Sequence, residues 1–362
     1  MPNKFGKTLI SHLPVSSPVT EEDTRQKAKL LEIGEIFIPR EVDMPCFASH
    51  STAGPDTGHS AHAFGFGDSR VKISLTKDPD ARLRLSQSGG DYVIYLDGGK
   101  FIENVKIIPL IAHAPNQAFL NLSGECRLEC AFCAMPGPGG STVGTLSTER
   151  ALNIISINFR SRDFRAVALT SGIPDSVEET NKRLTEAAGA VRKLYPRIPI
   201  GIEAYFEDLD DIQELKDAGA TEMKINIETW PRKRFEKACP NRSFEITLAA
   251  LEKAVEIFGR GKVTSNIIIG LGESDDDIVE GIKHLTGMGV VPNLRGIRLG
   301  PSNQEKLEKA MGAMPERVSA KRLLELGRKH KNILEMNNLS TRTFETMCFT
   351  CKCCDIVPMV DV

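Results

Sequence analysis

From about residue 115 onward, short apolar runs alternate with longer stretches in which apolar positions recur every three or four residues. Short runs bounded by glycine or polar turns suit strands, and the longer spacing suits helices with one buried face. Strands are expected at residues 117–122, 166–169, 198–204, 222–227, 263–269 and 294–299. Between them, Ser147 is placed to cap a helix to about Phe159, and residues 180–194 form the next. A third helix carries Leu209, Ile212 and Leu215 on one face and stops at Gly219. A fourth runs from Ser243 to Gly259 with Phe244, Leu248, Leu251, Val255 and Phe258 aligned, and a fifth covers 275–286. Strand followed by helix, repeated, is the pattern of parallel β/α units. Six units predict an α/β protein built on a partial (β/α)6 barrel, with its chemistry at the C-terminal ends of the strands.

The flanks read differently. Residues 21–33 form a charged helical stretch, and 39–68 read as irregular, with Cys46, His50, His59 and His62 among Gly, Ser, Thr and Pro. These four are open to two readings, as metal ligands or as solvated and hydrogen-bonded side chains. From 70 to 109 the pattern turns to strands separated by turns at 88–91 and 97–99, which predicts a small antiparallel sheet. After Val318 a basic helix over 320–330 leads to a tail, 337–362, with little periodicity. The expected domains are an N-terminal β-rich extension at 1–115, the barrel at 116–318, and a helix with a Cys-rich tail at 319–362.

Charge changes the picture mainly by exclusion. The 362 residues carry 46 basic and 48 acidic side chains, so neither nucleic acid nor an anionic membrane surface is expected as a partner. No apolar run reaches the ~18 residues of a membrane span, and the opening MPNKFGKTLISHL lacks the apolar core of a signal peptide. The nine cysteines are bunched: Cys126, Cys130 and Cys133; then Cys348, Cys351, Cys353 and Cys354; with Cys46 and Cys239 apart. Such bunching fits metal chemistry in a reducing cytoplasm better than a secreted disulfide framework.

Cys126, Cys130 and Cys133 stand in C-x3-C-x2-C spacing, with Phe132 before the last. Three thiolates on one loop cannot complete a tetrahedral zinc site alone, but they can hold three irons of a 4Fe–4S cube and leave the fourth open. A zinc knuckle, or three small core residues, are the other readings. Four further strings follow in order: ALTSGIPD after the second strand, KINIETWP after the fourth, NRSFEITLAALEKA at the capped helix, and IIIGLGES after the fifth strand.

Together with the cysteine loop, these strings resemble the biotin synthase and lipoyl synthase branch of the radical S-adenosylmethionine (radical SAM) superfamily over about residues 117–300. The resemblance implies a 4Fe–4S cluster on Cys126, Cys130 and Cys133 that binds S-adenosylmethionine beside Phe132. It implies Thr170, Ser171 and Gly172 at the methionine amino group, and Asn226 and Glu228 at the ribose hydroxyls. Arg242 would take the methionine carboxylate, and Gly270 and Gly272 would let backbone approach the adenine. For an inward acid such as Glu228, the bland reading is an ion pair with Lys224 or Arg298; for Thr170 to Gly172, a plain strand-to-helix turn.

Common lipoyl synthases hold a second cluster with cysteines upstream of this loop, where the present chain has only Cys46. Its downstream group, Cys348, Cys351, Cys353 and Cys354, resembles instead the divergent two-protein lipoyl synthases. That likeness implies a second Fe–S cluster serving sulfur insertion into an octanoyl-lysine of a lipoyl carrier domain. A second radical SAM subunit and a donor such as ferredoxin would be the partners. Two other readings stand beside it: a radical SAM mutase or cofactor-assembly enzyme similar to methylornithine synthase, and a non-enzymatic Fe–S or zinc scaffold with a docking tail.

Overall fold

The computed structural model describes residues 19–141, 144–161 and 163–362. The opening residues, on which the signal-peptide expectation falls, lie outside them. No helix among the described residues is long and apolar enough to cross a membrane.

The barrel follows the apolar pattern closely. Six strands, β8 (Gln117–Asn121), β9 (Ala166–Thr170), β10 (Ile200–Glu203), β11 (Glu222–Lys224), β12 (Val263–Ile269) and β13 (Val291–Gly296), pair in that order, all parallel. β12 is buried at every residue, as a strand covered on both faces must be. The connecting helices begin where side-chain caps permit. Ser147 caps α2 (Thr148–Asn158), Ser176 caps α3 (Val177–Leu194), Ser243 caps α6 (Phe244–Phe258), and Ser274 forms a capping box on α7 (Asp275–Met288). Between β10 and β11 lies α4 (Asp211–Asp217). Two short helices, α5 (Arg232–Ala238) and α8 (Gln304–Met311), interrupt stretches without an expected element. Both are rich in charge and too short to show an apolar period.

Upstream, α1 (Glu21–Ile33) is closed by a capping box at Thr20 and by Gly34 at φ 76°. The strands that follow are β1 (Glu35–Phe37), β2 (Ser49–His50), β3 (Ser60–Phe66), β4 (Ser69–Thr76), β5 (Leu83–Ser88), β6 (Asp91–Leu96) and β7 (Gly99–Ile108). Two expectations are corrected here. The segment 39–68 is not irregular throughout, since six of the seven residues of β3 are buried; its Gly and His hide the period. The sheet is not purely antiparallel either, because β1 joins β4 and β5 in parallel. With β3 also paired to β7, six strands close into a small barrel of their own, leaving β2 outside on β3. Closure removes the exposed edges such a sheet would otherwise carry.

The C-terminal segment is far from formless. After α9 (Ala320–Met336), residues 341–362 cross the N-terminal ends of the barrel strands and form its floor, with a single-turn α10 (Met347–Cys351). Gln117, the first residue of β8, exchanges hydrogen bonds with Met347 at 2.7 and 2.8 Å. The buried Glu222 carboxylate, at the start of β11, accepts from the backbone of Glu345 and Thr346 at 2.9 Å each and from the Thr346 hydroxyl at 2.6 Å. Asp355 takes Arg295 of β13 in a bidentate pair at 2.8 and 3.1 Å. Those to Glu222 and Asp355 are charge-assisted, and together the bonds order a segment with little periodicity of its own.

Candidate active site

A cavity of about 410 Å³ fills the barrel between the loop that follows β8 and the C-terminal floor. That is within the range of small-molecule sites.

The loop is held from several sides. The Cys126 N–H donates to Pro136 O at 2.9 Å, Arg127 N–H to Ile173 O at 2.8 Å, and Ala131 N–H to Ala238 O at 2.8 Å. Asn303 donates to Phe132 O at 2.8 Å, and the Glu125 carboxylate accepts from the backbone of Gly139 and Ser141. Gly172 must lack a side chain, because a Cβ there would sit 2.1 Å from Glu125 O. In this way the ends of β8 and β9 fix Cys126, Cys130, Phe132 and Cys133 on the cavity wall. Burial pushes the Cys126 thiol up and that of Cys133 to about 12, while a hydrogen bond from Cys239 holds Cys130 down. Cys239 itself is fully buried beside this loop. Thiols so buried ionise only against a local positive charge, which bound iron supplies.

Thr170, Ser171 and Gly172 lie on the same wall, with the Ser171 hydroxyl donating to Gly172 O at 2.6 Å. Asn226 and Glu228 line it too, but not by strand alternation: β11 ends at Lys224, and Glu228 adopts φ 61°. The Asn226 amide donates to Glu203 at 2.7 Å and accepts from Asn266 N–H at 3.0 Å. Glu228 pairs with Arg242 at 3.2 Å rather than with Lys224 or Arg298. Burial raises the Glu228 pKa against the pull of that guanidinium. Arg242 also stacks over the rings of Tyr205 and Phe235, at 4.9 and 5.5 Å. Its Nε, like Oδ1 of the wall residue Asn121, is buried without a partner. Orphaned polar atoms on a cavity wall indicate a polar ligand.

Two expected residues lie elsewhere. Gly270 and Gly272 are not on the cavity wall, which on that side is made by Asn266, Ile268 and Ile297. They serve the turn after β12: both have positive φ, and the Glu273 carboxylate accepts from the backbone of Gly270 and Leu271 at 2.7 and 2.8 Å. The tail cysteines divide. Cys348 and Cys354 face the cavity, whereas Cys351 and Cys353 are buried in an apolar cluster with Ala63, Phe119 and Ala168. Of the upstream candidates, His50 reaches the cavity wall, but Cys46, His59 and His62 do not.

The barrel interior also holds charged groups that motif reading did not assign to the site. Lys224 pairs with Glu203 at 3.2 Å, Arg295 with Asp355 at 2.8 Å, and Arg298 with Asp56 at 2.6 Å. Glu203 is pushed up by burial but more strongly drawn down by Lys224 and Asn226. His113, between the two barrels, also faces the cavity, and burial together with these cations depresses its pKa well below 6.5. Charged residues inside apolar strands were the available signal; for Asp56 and His113, in connecting segments, there was none.

The donor set fits the groups expected of it. Three thiols from one loop face a cavity with partly unsatisfied amide and guanidinium atoms, as a cluster and a zwitterionic nucleoside require.

Comparison with known proteins agrees with this geometry. Residues 120–285 match the Radical SAM superfamily. The chain is 27% identical over 189 residues to lipoyl synthase of Acidovorax ebreus (strain TPSY), covering 51% of this chain and 56% of that protein. Biotin synthase of Persephonella marina is 27% identical over 167 residues, covering 44% and 46%. The chain thus spans about half the length of the curated relatives it matches. Crystalline methylornithine synthase shares the fold, with a TM-score of 0.50 and 16% identity over 62% of this chain and 64% of that one. Cysteine loop, parallel barrel and relatives converge: residues 120–285 carry a domain of the Radical SAM superfamily, and the chain is similar to the biotin and lipoyl synthases.

Proposed function

We propose that this protein cleaves S-adenosylmethionine reductively and directs the resulting radical at a substrate C–H bond, for sulfur insertion into an octanoyl-lysine of a lipoyl carrier domain. The observation that carries the finer reading is the shared cavity. Cys126, Cys130 and Cys133 border it at one end, and Cys348 and Cys354 at the floor.

A reduced 4Fe–4S cluster on Cys126, Cys130 and Cys133, when bound, supplies the electron that breaks the sulfonium C–S bond and releases the 5′-deoxyadenosyl radical. The chain's own residues do the rest of the positioning. The hydroxyl oxygens of Thr170 and Ser171 suit an ammonium group. The Asn226 amide and the Glu228 carboxylate suit vicinal hydroxyls, and Arg242 beside the N-terminus of α6 suits a carboxylate. Leu120, Ile268 and Ile297 give the cavity apolar walls that keep water from a reactive carbon centre. The sulfur would come from a second Fe–S cluster at the tail. A second radical SAM subunit and a ferredoxin-like donor are the partners this reading calls for, in the cytoplasm.

The test is anaerobic reconstitution, reduction with dithionite, and chromatographic measurement of methionine and 5′-deoxyadenosine. Cleavage is expected, and its loss in Cys126→Ala. An octanoyl-lysine peptide should then gain mass for inserted sulfur; cleavage without that gain overturns sulfur insertion, and no cleavage leaves the scaffold reading. One observation favours a mutase acting on a small charged substrate, namely the ion pairs inside the barrel. Turnover of such a substrate without sulfur transfer would select it.

A further inference from the structure

Cys239 stands apart from both cysteine groups in the sequence, but the fold carries it to the cluster loop. Two cross-links bracket the meeting point. The Ala131 N–H donates to Ala238 O at 2.8 Å, and the Asn241 amide donates to the Glu129 carboxylate at 3.3 Å. Residues 129–131 and 238–241 therefore lie side by side, with Cys130 and Cys239 between the two links. The backbone of Cys239 is fixed at both polar groups: its N–H donates to Phe235 O at 2.8 Å, and its carbonyl accepts from Arg242 N–H at 3.1 Å. The side chain is 0% exposed and packs in the main apolar core, so no water competes for the thiol proton. Its sulfur is within hydrogen-bonding reach of the Cys130 sulfur.

The three loop cysteines differ in what reaches their sulfurs. Cys126 accepts from the backbone of Leu128 and Ile173, and Cys133 from that of Met135. Cys130 is approached instead by two side chains, Cys239 and Arg242. A backbone donor comes with the fold, whereas a side-chain donor depends on the identity of one residue. The Arg242 guanidinium is shared with the Glu228 carboxylate and with Asn226 O. As an iron ligand Cys130 is a thiolate and can only accept. A second thiolate packed against it in an apolar core would be an uncompensated like charge, so Cys239 keeps its proton and is the donor. A hydrogen bond to a ligand sulfur draws charge off the cluster and favours the state that carries one more electron.

We propose that Cys239 is a positioning residue of the S-adenosylmethionine-cleaving centre: its S–H donates to the Cys130 thiolate, holds that ligand in place and raises the reduction potential of the cluster. The proposal rests on the cleavage half of the functional reading and is independent of sulfur insertion. It gives the connection between the cluster loop and α5 an electronic role beside its mechanical one.

The experiment is an EPR-monitored redox titration of the anaerobically reconstituted full-length protein. The loop cluster is identified as the signal missing from Cys126→Ala, and circular dichroism confirms folding. Cys239→Ala and Cys239→Val both remove the donor, the second while filling its volume; Cys239→Ser keeps one. The first two are expected to make one-electron reduction of the loop cluster about three- to tenfold less favourable, a midpoint lower by about 30–60 mV. The serine variant should stay near wild type. A merely structural thiol predicts a different order, because serine would then be the polar intruder in an apolar core, lowering the melting temperature and leaving the potential unmoved. Unchanged potentials in folded Ala and Val variants would overturn the proposal. Loss of the loop cluster's iron from both of them, with the fold intact, would overturn it as well, since Cys239 would then be a ligand. A wild type that assembles no reducible loop cluster overturns the cleavage reading itself and this proposal with it, an outcome distinct from the other two.

Discussion

Glu228 shows how a site residue can be named from sequence while its geometry is not. The motif placed it on the cavity, and it is there, 8% exposed, but through a left-handed backbone at φ 61° rather than strand alternation. Only surrounding contacts can hold a non-glycine residue in that region. The chain provides them: its N–H donates to Asn266 O at 3.0 Å, its carbonyl accepts from Ile268 N–H at 2.7 Å, and Arg242 holds the carboxylate. Glu228→Gln keeps the size but leaves Arg242 without its counter-ion. S-adenosylmethionine binding to the reconstituted variant, measured calorimetrically, is expected to weaken ten- to a hundredfold, roughly 1.4–2.8 kcal/mol. A purely structural role would lower the melting temperature and leave the affinity unchanged.

At the scale of elements, legibility followed length and periodicity. The β12 strand was readable end to end because seven buried residues in a β-favouring run leave no competing period. The fourth strand was read three residues too long, since Ile225 and Ile227 stay buried after the ladder ends at Lys224. The basic helix expected over 320–330 continues to Met336 as α9, and its inner face carries an imidazole, His330, with both nitrogens unpartnered. Burial depresses its pKa to about 3. The folded state therefore holds it neutral while the unfolded chain protonates it below about pH 6.5. Stability is complete above that value and falls as acidity increases toward pH 3, by about 1.4 kcal/mol per pH unit. His330→Leu removes this penalty and an unsatisfied polar group. Urea titrations are expected to show it more stable by about 1–3 kcal/mol at pH 7, with a larger gap at pH 5.

At the scale of the described molecule, the first helix and the C-terminal segment are joined. Lys27 of α1 and Asp361, each 1% exposed, pair at 2.6 Å, and Lys27 also donates to Lys352 O at 2.8 Å. Thr24 donates to Asp361 O at 2.6 Å. The first helix is thereby fastened to the floor that carries Cys348 and Cys354. Asp361→Ala leaves a buried ammonium uncompensated, at a cost of about 3–5 kcal/mol. Chemical denaturation should register that loss, and limited proteolysis should cut the tail first if the pair anchors it.

The amino-acid sequence by itself determined the parallel β/α order, the cysteine loop and its place after β8, because both rest on local spacing: an apolar period, caps, and three thiols within one turn of chain. It could not decide which residues from distant segments meet. Asp56 and His113 come to the cavity from the N-terminal extension, and Cys348 and Cys354 from the tail, through contacts that no local period encodes. Nor could spacing divide four adjacent cysteines into two facing the cavity and two buried behind them. That division depends on which face of a short segment packs against the small barrel, and packing between distant parts of the chain exists only once the chain is folded.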